Sequence, residues 1–187
     1  MNLPNKLTVL RILLVPVFLL FFLCPQIPLH YLWAAIAFAC SAITDCIDGK
    51  IARKYHLVTD FGKFLDPLAD KILVTSALIC LIPIGLAGPV MVVIILARDF
   101  LVTSLRLVAS GKGTVIAANL WGKLKTVSQM VAICVVLVLL ALGQLVAFPY
   151  VWIYLIAQTL LWIATFFTIL SGVIYLWQNR SFISDVM

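Results

Sequence analysis

Long apolar runs separated by short charged stretches dominate this chain. No Asp, Lys or Arg occurs in 12–44, 72–97 or 126–179, and Glu is absent throughout. Each run, extended by a turn or two at its ends, holds two helices of the roughly 20 residues that cross a hydrocarbon core. Each is also broken near its middle, by CPQIPLH at 24–30, IPIGLAGP at 82–89 and GQLVAFPY at 143–150. Pro removes a backbone donor and, with Gly, punctuates helices, so these segments predict turns. The pattern predicts an all-α, polytopic membrane protein. Its six transmembrane helices form three hairpins, at about 8–24, 31–48, 63–82, 89–109, 119–142 and 150–177. No internal repeat or linker divides the chain, which reads as a single domain over 1–187.

In this scheme the three uncharged turns share one side. The other side collects the termini and both charged connections, with Lys6, Arg11, Lys50, Arg53, Lys54, Lys63, Arg106, Lys112, Lys123, Lys125 and Arg180. Cytoplasmic loops are rich in Lys and Arg, so both termini are expected in the cytoplasm. The Trp and Tyr residues at 31, 33, 121, 150, 152 and 177 fall near the expected helix ends, as an aromatic belt would.

Composition agrees with the pattern. Of 187 residues 65% are hydrophobic and 11% charged, far from the quarter or so of charged residues in a soluble domain. This excludes a secreted disulfide scaffold, a disordered tail and a water-soluble nucleic-acid binder. The formal charge of +6 then reflects cytoplasmic connections rather than a polyanionic partner. Cys24, Cys40, Cys46, Cys80 and Cys134 have no CxxC or metal spacing and read as small apolar residues. LFFLC ending at Cys24 faintly resembles a lipoprotein cleavage site, but bulky Leu23 stands where a small residue is needed, so the first helix is expected to be retained.

Acidic residues are concentrated instead of scattered. Five of the seven lie between 45 and 70. Asp45 and Asp48 are three apart and Asp66 and Asp70 four apart, spacings that put each pair on one helical face. By helical rise both pairs fall toward the cytoplasmic ends of their helices. Converging carboxylates near a bilayer repel one another and are costly to desolvate. A hard divalent cation offsets both, and four carboxylates can hold two Mg²⁺ ions with phosphate oxygens completing the shells. The plainer alternative is solvated helix ends neutralised by Lys50, Arg53, Lys63 and Lys71. Gly49 follows Asp48, and Gly62 lies four residues before Asp66; each lacks a Cβ, letting a bulky ligand approach the backbone. Ala52 keeps the same surface shallow, and Arg53 offers a planar donor suited to phosphate or a nucleotide edge.

From 45 the chain runs Asp45, Asp48, Gly49, Ala52, Arg53, Gly62, Asp66, Asp70, eight fixed positions within 26 residues. This resembles the complete signature of the CDP-alcohol phosphotransferases, and the likeness extends to their six-helix layout. Three more segments resemble the subgroup that uses glycerol 3-phosphate: NLPNKLTVLRILLVPVF at the start, LARDFLVTSLRL at 96–107 and WGKLKTVSQMVAI at 121–133. One departure is Asp99 after Arg98, where that subgroup is expected to carry Glu; the charge is kept and the reach is one methylene shorter.

The resemblance implies transfer of a phosphatidyl group from CDP-diacylglycerol to sn-glycerol 3-phosphate, with release of CMP, in anionic phospholipid synthesis. It implies Asp45, Asp48, Asp66 and Asp70 as ligands of two Mg²⁺ ions, or Mn²⁺ in their place, with Asp70 also the general base. Gly49, Ala52, Arg53 and Gly62 would cradle the cytidine diphosphate. It further implies a homodimer in a bacterial cytoplasmic membrane, with its active site facing the cytoplasm.

The acceptor needs an anion pocket of its own. Arg106, Lys123 and Lys125 are the candidates, with Thr8 and Arg11 on the first helix as further ones. Near cytoplasmic ends, ordinary positive-inside residues are the competing account for the first three. Arg98 lies too deep for a casual surface charge and is expected to face the bundle interior near Asp99. His30 and His56 read as turn and connection residues. Rival functions are a related enzyme using inositol phosphate, serine or phosphatidylglycerol, and a divalent-cation transporter. A transporter needs polar groups through both leaflets, whereas the external half here carries no charge.

Overall fold

A computed structural model describes residues 3–54, 60–111, 119–146 and 148–180, the side chains of 3–6, 45–54, 60–64, 66, 67 and 70 excepted. Six helices make up these residues: α1 (Leu3–Leu23), α2 (His30–Lys54), α3 (Asp60–Leu81), α4 (Pro89–Gly111), α5 (Leu120–Val146) and α6 (Tyr150–Gln178). They coincide with the six expected segments and run further at several ends: charged residues carry α2 on to Lys54, and α5 passes Gly143 to end at Val146.

The predicted breaks are turns. Gly85, at φ +71°, takes a conformation open to glycine without steric cost and reverses the chain between α3 and α4. Leu29 holds a positive φ of 56° just before α2. Polar contacts draw the turns together at one end of the bundle. The Tyr150 hydroxyl donates to the Ile84 carbonyl. Gln158 Nε2 donates to the Gly85 and Leu86 carbonyls at 3.3 Å each. Tyr31 N donates to Gln144 Oε1 at 3.2 Å. The first three satisfy carbonyls of the turn after α3, and the last satisfies an amide left open at the start of α2.

Within the bundle, α1 packs on α2 and α5 on α6, as hairpins should, while α2 lies against α5. The middle hairpin is different. α3 packs chiefly on α1 and α4 on α6, so α3 and α4 scarcely touch. The core is built from Phe18, Phe22 and Phe38, with ring centroids 5.7 and 6.0 Å from that of Phe18. Fully buried Ala34, Ala132, Ala157 and Ala164 allow backbones to approach closely, as small residues do between membrane helices.

The exterior is apolar. Leu13, Val93, Phe100, Leu107, Val127, Val151 and Phe166 each expose more than half their surface, whereas Arg11 and Lys125 are buried. Apolar outside and ionic inside is the arrangement of a membrane protein. By length and composition, α5 and α6 are long and apolar enough to cross a bilayer. In α4 every 18-residue stretch contains Arg98, Asp99 and Arg106. The apolar sections found in α1, α2 and α3 are shorter, at Leu7–Leu23, His30–Thr44 and Lys71–Leu81.

Candidate active site

The separation of α3 from α4 leaves a cavity of about 530 Å³, walled by α3, α4 and α5. Lys71, Arg98, Arg106, Lys123 and Lys125 line it, with Asp99 the one acidic side chain among the described lining residues. Thr75, Thr103, Thr126 and Gln129 add neutral polar groups. A concave site with convergent cations and several hydroxyls is suited to a phosphorylated, hydroxylated ligand.

Each wall contributes through its helical register. On α3, Lys71 and Thr75 are one turn apart. On α4, Arg98, Asp99, Val102 and Arg106 recur on one face. α5 begins at the cavity: Asn119 caps it, its Oδ1 accepting from Gly122 N at 2.8 Å. Asn119 Nδ2 also donates to Gln178 Oε1 at 3.4 Å, tying the start of α5 to the end of α6. A Cβ on Gly122 would lie 3.1 Å from Asn119 Oδ1 and 3.6 Å from Arg98 Nη2, so glycine keeps this corner open.

The cations differ in their bonding. Lys125 is 4% exposed and donates to Asp99 Oδ2 and Oδ1 at 2.6 and 2.8 Å. Arg98 Nη1 reaches Asp99 Oδ1 at 3.3 Å. Asp99 thus sits between two cations, and its shorter side chain still spans the gap from α4 to α5. Arg98 faces inward as expected, its Cγ only 3.1 Å from where a Cβ on Gly172 would stand. Arg106 is exposed, and its guanidinium lies over the Tyr175 ring, 5.6 Å from the centroid, a cation–π contact that steadies a side chain at the cavity mouth. Lys123, on the α5 wall of the cavity, is exposed too.

The structure therefore brings Arg106, Lys123 and Lys125 together around one cavity. Thr8 and Arg11 are buried on α1, against α2 and α3, and are not among the described lining residues; both side chains are engaged. Lys71, which the sequence offered only as a neutraliser of the aspartates, also lines the cavity, as do Thr75 and Gln129, which did not stand out. Asp45, Asp48, Gly49, Ala52 and Arg53 fall within the helical span of α2, and Gly62, Asp66 and Asp70 within that of α3, but their side chains lie outside the described ones. His56 and Lys112 lie outside the described residues altogether. Asp70 immediately precedes cavity-lining Lys71, so the acidic motif and the basic cavity adjoin along α3.

Residues 1–170 match the CDP-alcohol phosphatidyltransferase family. The chain belongs to that family. Among its relatives, a Bacillus subtilis protein named CDP-diacylglycerol–glycerol-3-phosphate 3-phosphatidyltransferase is 46% identical, with 95% of each chain covered. A Rickettsia bellii protein of the same name is 41% identical, with 93% of each covered. A Mycobacterium tuberculosis protein named probable phosphatidylglycerophosphate synthase is 46% identical over 71% of this chain and 64% of its own. The match to the CDP-alcohol phosphatidyltransferase family spans the aspartate signature and all three cavity walls.

Proposed function

We propose that this chain transfers the phosphatidyl group of CDP-diacylglycerol to sn-glycerol 3-phosphate, giving phosphatidylglycerophosphate and CMP. The observation that carries the acceptor assignment is the basic cavity against α3 immediately beyond Asp70. A terminal hydroxyl oxygen of the acceptor attacks the lipid-side phosphorus, the bond from that phosphorus to the CMP oxygen breaks, and the hydroxyl proton passes to the Asp70 carboxylate. A carboxylate serves as base where it lies within hydrogen-bond reach of the hydroxyl.

Asp45 with Asp48 and Asp66 with Asp70 stand on helical backbone at spacings that pair them on one face, and their hard oxygen donors suit Mg²⁺ or Mn²⁺. Two such ions would neutralise the diphosphate and stabilise the attacking and leaving oxygens. Gly49, Ala52, Arg53 and Gly62 form the cytidine-diphosphate cradle. Arg106 and Lys123 hold the acceptor phosphate by charge-assisted bonds. Lys125, paired with Asp99, adds positive potential.

The deciding experiment incubates purified protein with CDP-diacylglycerol, Mg²⁺ and, separately, glycerol 3-phosphate, inositol phosphate, serine and phosphatidylglycerol. CMP release and lipid product are scored; a preference for any acceptor other than glycerol 3-phosphate overturns the assignment. Arg106→Ala and Lys123→Ala each remove a contact of about 1.5–3 kcal/mol and should raise the KM for glycerol 3-phosphate roughly ten- to a hundredfold. The KM for CDP-diacylglycerol should scarcely change, and Arg53→Ala should give the reverse pattern. Untouched glycerol 3-phosphate saturation in both cavity variants would return Arg106 and Lys123 to the role of positive-inside anchors.

The same proposal includes six transmembrane spans and a homodimer in a bacterial cytoplasmic membrane, with termini and active site facing the cytoplasm. Apolar exteriors on all six helices and the gathering of uncharged turns at one end support the spans and their hairpin arrangement. Single cysteines at Lys54 and Gln144, in a background without other cysteines, should label from opposite sides of sealed vesicles. Labelling of both from one side rules out the hairpin topology, and cross-linking in native membranes tests the dimer.

A further inference from the structure

Deep in the cavity is a polar group that phosphate binding leaves unused. Gln129 follows Lys125 by one turn on α5, lines the cavity and is 2% exposed. Its Nε2 has no hydrogen-bond partner among the described residues. A buried amide donor without a partner is costly, and native proteins rarely keep one unless a ligand or water completes it. Lys125, one turn closer to the mouth, is already engaged by Asp99. Among the described lining side chains, the buried donors without a partner are Arg98 Nε, on a guanidinium already bound to Asp99, and the neutral Gln129 amide, while the open cations Arg106 and Lys123 stand at the exposed mouth.

A ligand that meets both ends presents an anion to the mouth and a neutral hydroxyl or similar group to the floor. An amide suits a hydroxyl because each can both donate and accept. In the function proposed above, the terminal hydroxyl of glycerol 3-phosphate must turn to α3, which carries Asp70. That leaves the central hydroxyl for α5. We propose that Gln129 hydrogen-bonds the central hydroxyl of the acceptor, making it the residue that selects a polyol phosphate over a simple hydroxyalkyl phosphate. Gln129 binds the acceptor without taking part in bond making.

The test compares glycerol 3-phosphate with 3-hydroxypropyl phosphate, which keeps the phosphate and the reacting terminal hydroxyl and lacks the central one. Full-length enzyme, Gln129→Met and Gln129→Leu are assayed for CMP release with CDP-diacylglycerol and Mg²⁺. Wild type should favour glycerol 3-phosphate in kcat/KM by about ten- to a hundredfold, the effect of leaving a buried donor unpaired. Both variants should lose that preference by slowing on glycerol 3-phosphate, while retained turnover of 3-hydroxypropyl phosphate reports an intact fold. Equal loss on both acceptors in both variants, an unchanged preference, or no preference in the wild type overturns the role of Gln129. Absence of glycerol 3-phosphate turnover in the wild type overturns the acceptor assignment as well, and is distinguished by appearing without any substitution.

Discussion

Asp48→Ala and Asp66→Ala should each abolish metal-dependent CMP release. Losing a ligand that fixes a divalent ion forfeits several kcal/mol of transition-state stabilisation, on the order of a thousandfold in rate. The same is expected of Asp45→Ala, and excess chelator should silence the unsubstituted enzyme. Asp70→Asn separates two roles at one position: it keeps size and one oxygen ligand but cannot accept the proton. Its kcat should fall steeply while CDP-diacylglycerol still saturates. Full activity in excess chelator would remove the two-ion mechanism, and a near-normal kcat for Asp70→Asn would remove Asp70 as the base.

The second large effect is on stability. Asp99→Ala removes the carboxylate that lies 2.6 Å from Lys125 Nζ and 3.3 Å from Arg98 Nη1. Because Lys125 is 4% exposed, water cannot replace the lost carboxylate. Removing one partner of a buried ion pair costs up to about 3–5 kcal/mol, on the order of 10 °C in the unfolding midpoint for a chain of this size. Asp99→Glu should stay close to wild type because it restores the charge with one more methylene. Lys125→Met introduced into Asp99→Ala should recover part of the loss, since it removes a buried cation that has lost this carboxylate. Thermal unfolding in detergent measures all three. If the double variant is no more stable than Asp99→Ala alone, the pair does not stabilise the bundle.

Much of the architecture was legible from residue patterns because the signals were local. Pro25, Pro28, Pro83, Gly85, Gly88 and Pro149 all fall between helices, so the six segments and their turns follow from the chain alone, although α1 carries Pro16 and α5 carries Gly143 without ending. The eight-residue signature was equally legible, because its spacing matches the helical repeat. Arg98 and Asp99 could be placed inward from depth, since an ionic pair so far from either helix end does not face lipid. Thr75 and Gln129 escaped notice: Thr and Gln are common on helices, and nothing in their spacing says which neighbour they face.

Other features depended on which helices meet. Adjacency in sequence suggested that α3 and α4 pack as a hairpin, yet α3 turns to α1 and α4 to α6, and the cavity exists because of that divergence. Lys125 resembled Lys123 in sequence, but contact with α4 commits it to Asp99 while Lys123 stays open. Arg11 seemed a companion of Arg106, but burial of α1 against α2 and α3 sets it apart. Apolar periodicity could not decide these pairings, because lipid is as apolar as a leucine-rich helix face and burial between helices gains no hydrophobic advantage over lipid. Close packing decided them instead, through small residues such as Gly172 against Arg98 and the fully buried alanines of α2, α5 and α6. The sequence by itself thus determined the helices, their turns and the spacing of the aspartates along them. The tertiary structure decided which cations share a cavity and which are already paired, because interhelical fit is a property of two surfaces and is written in neither one alone.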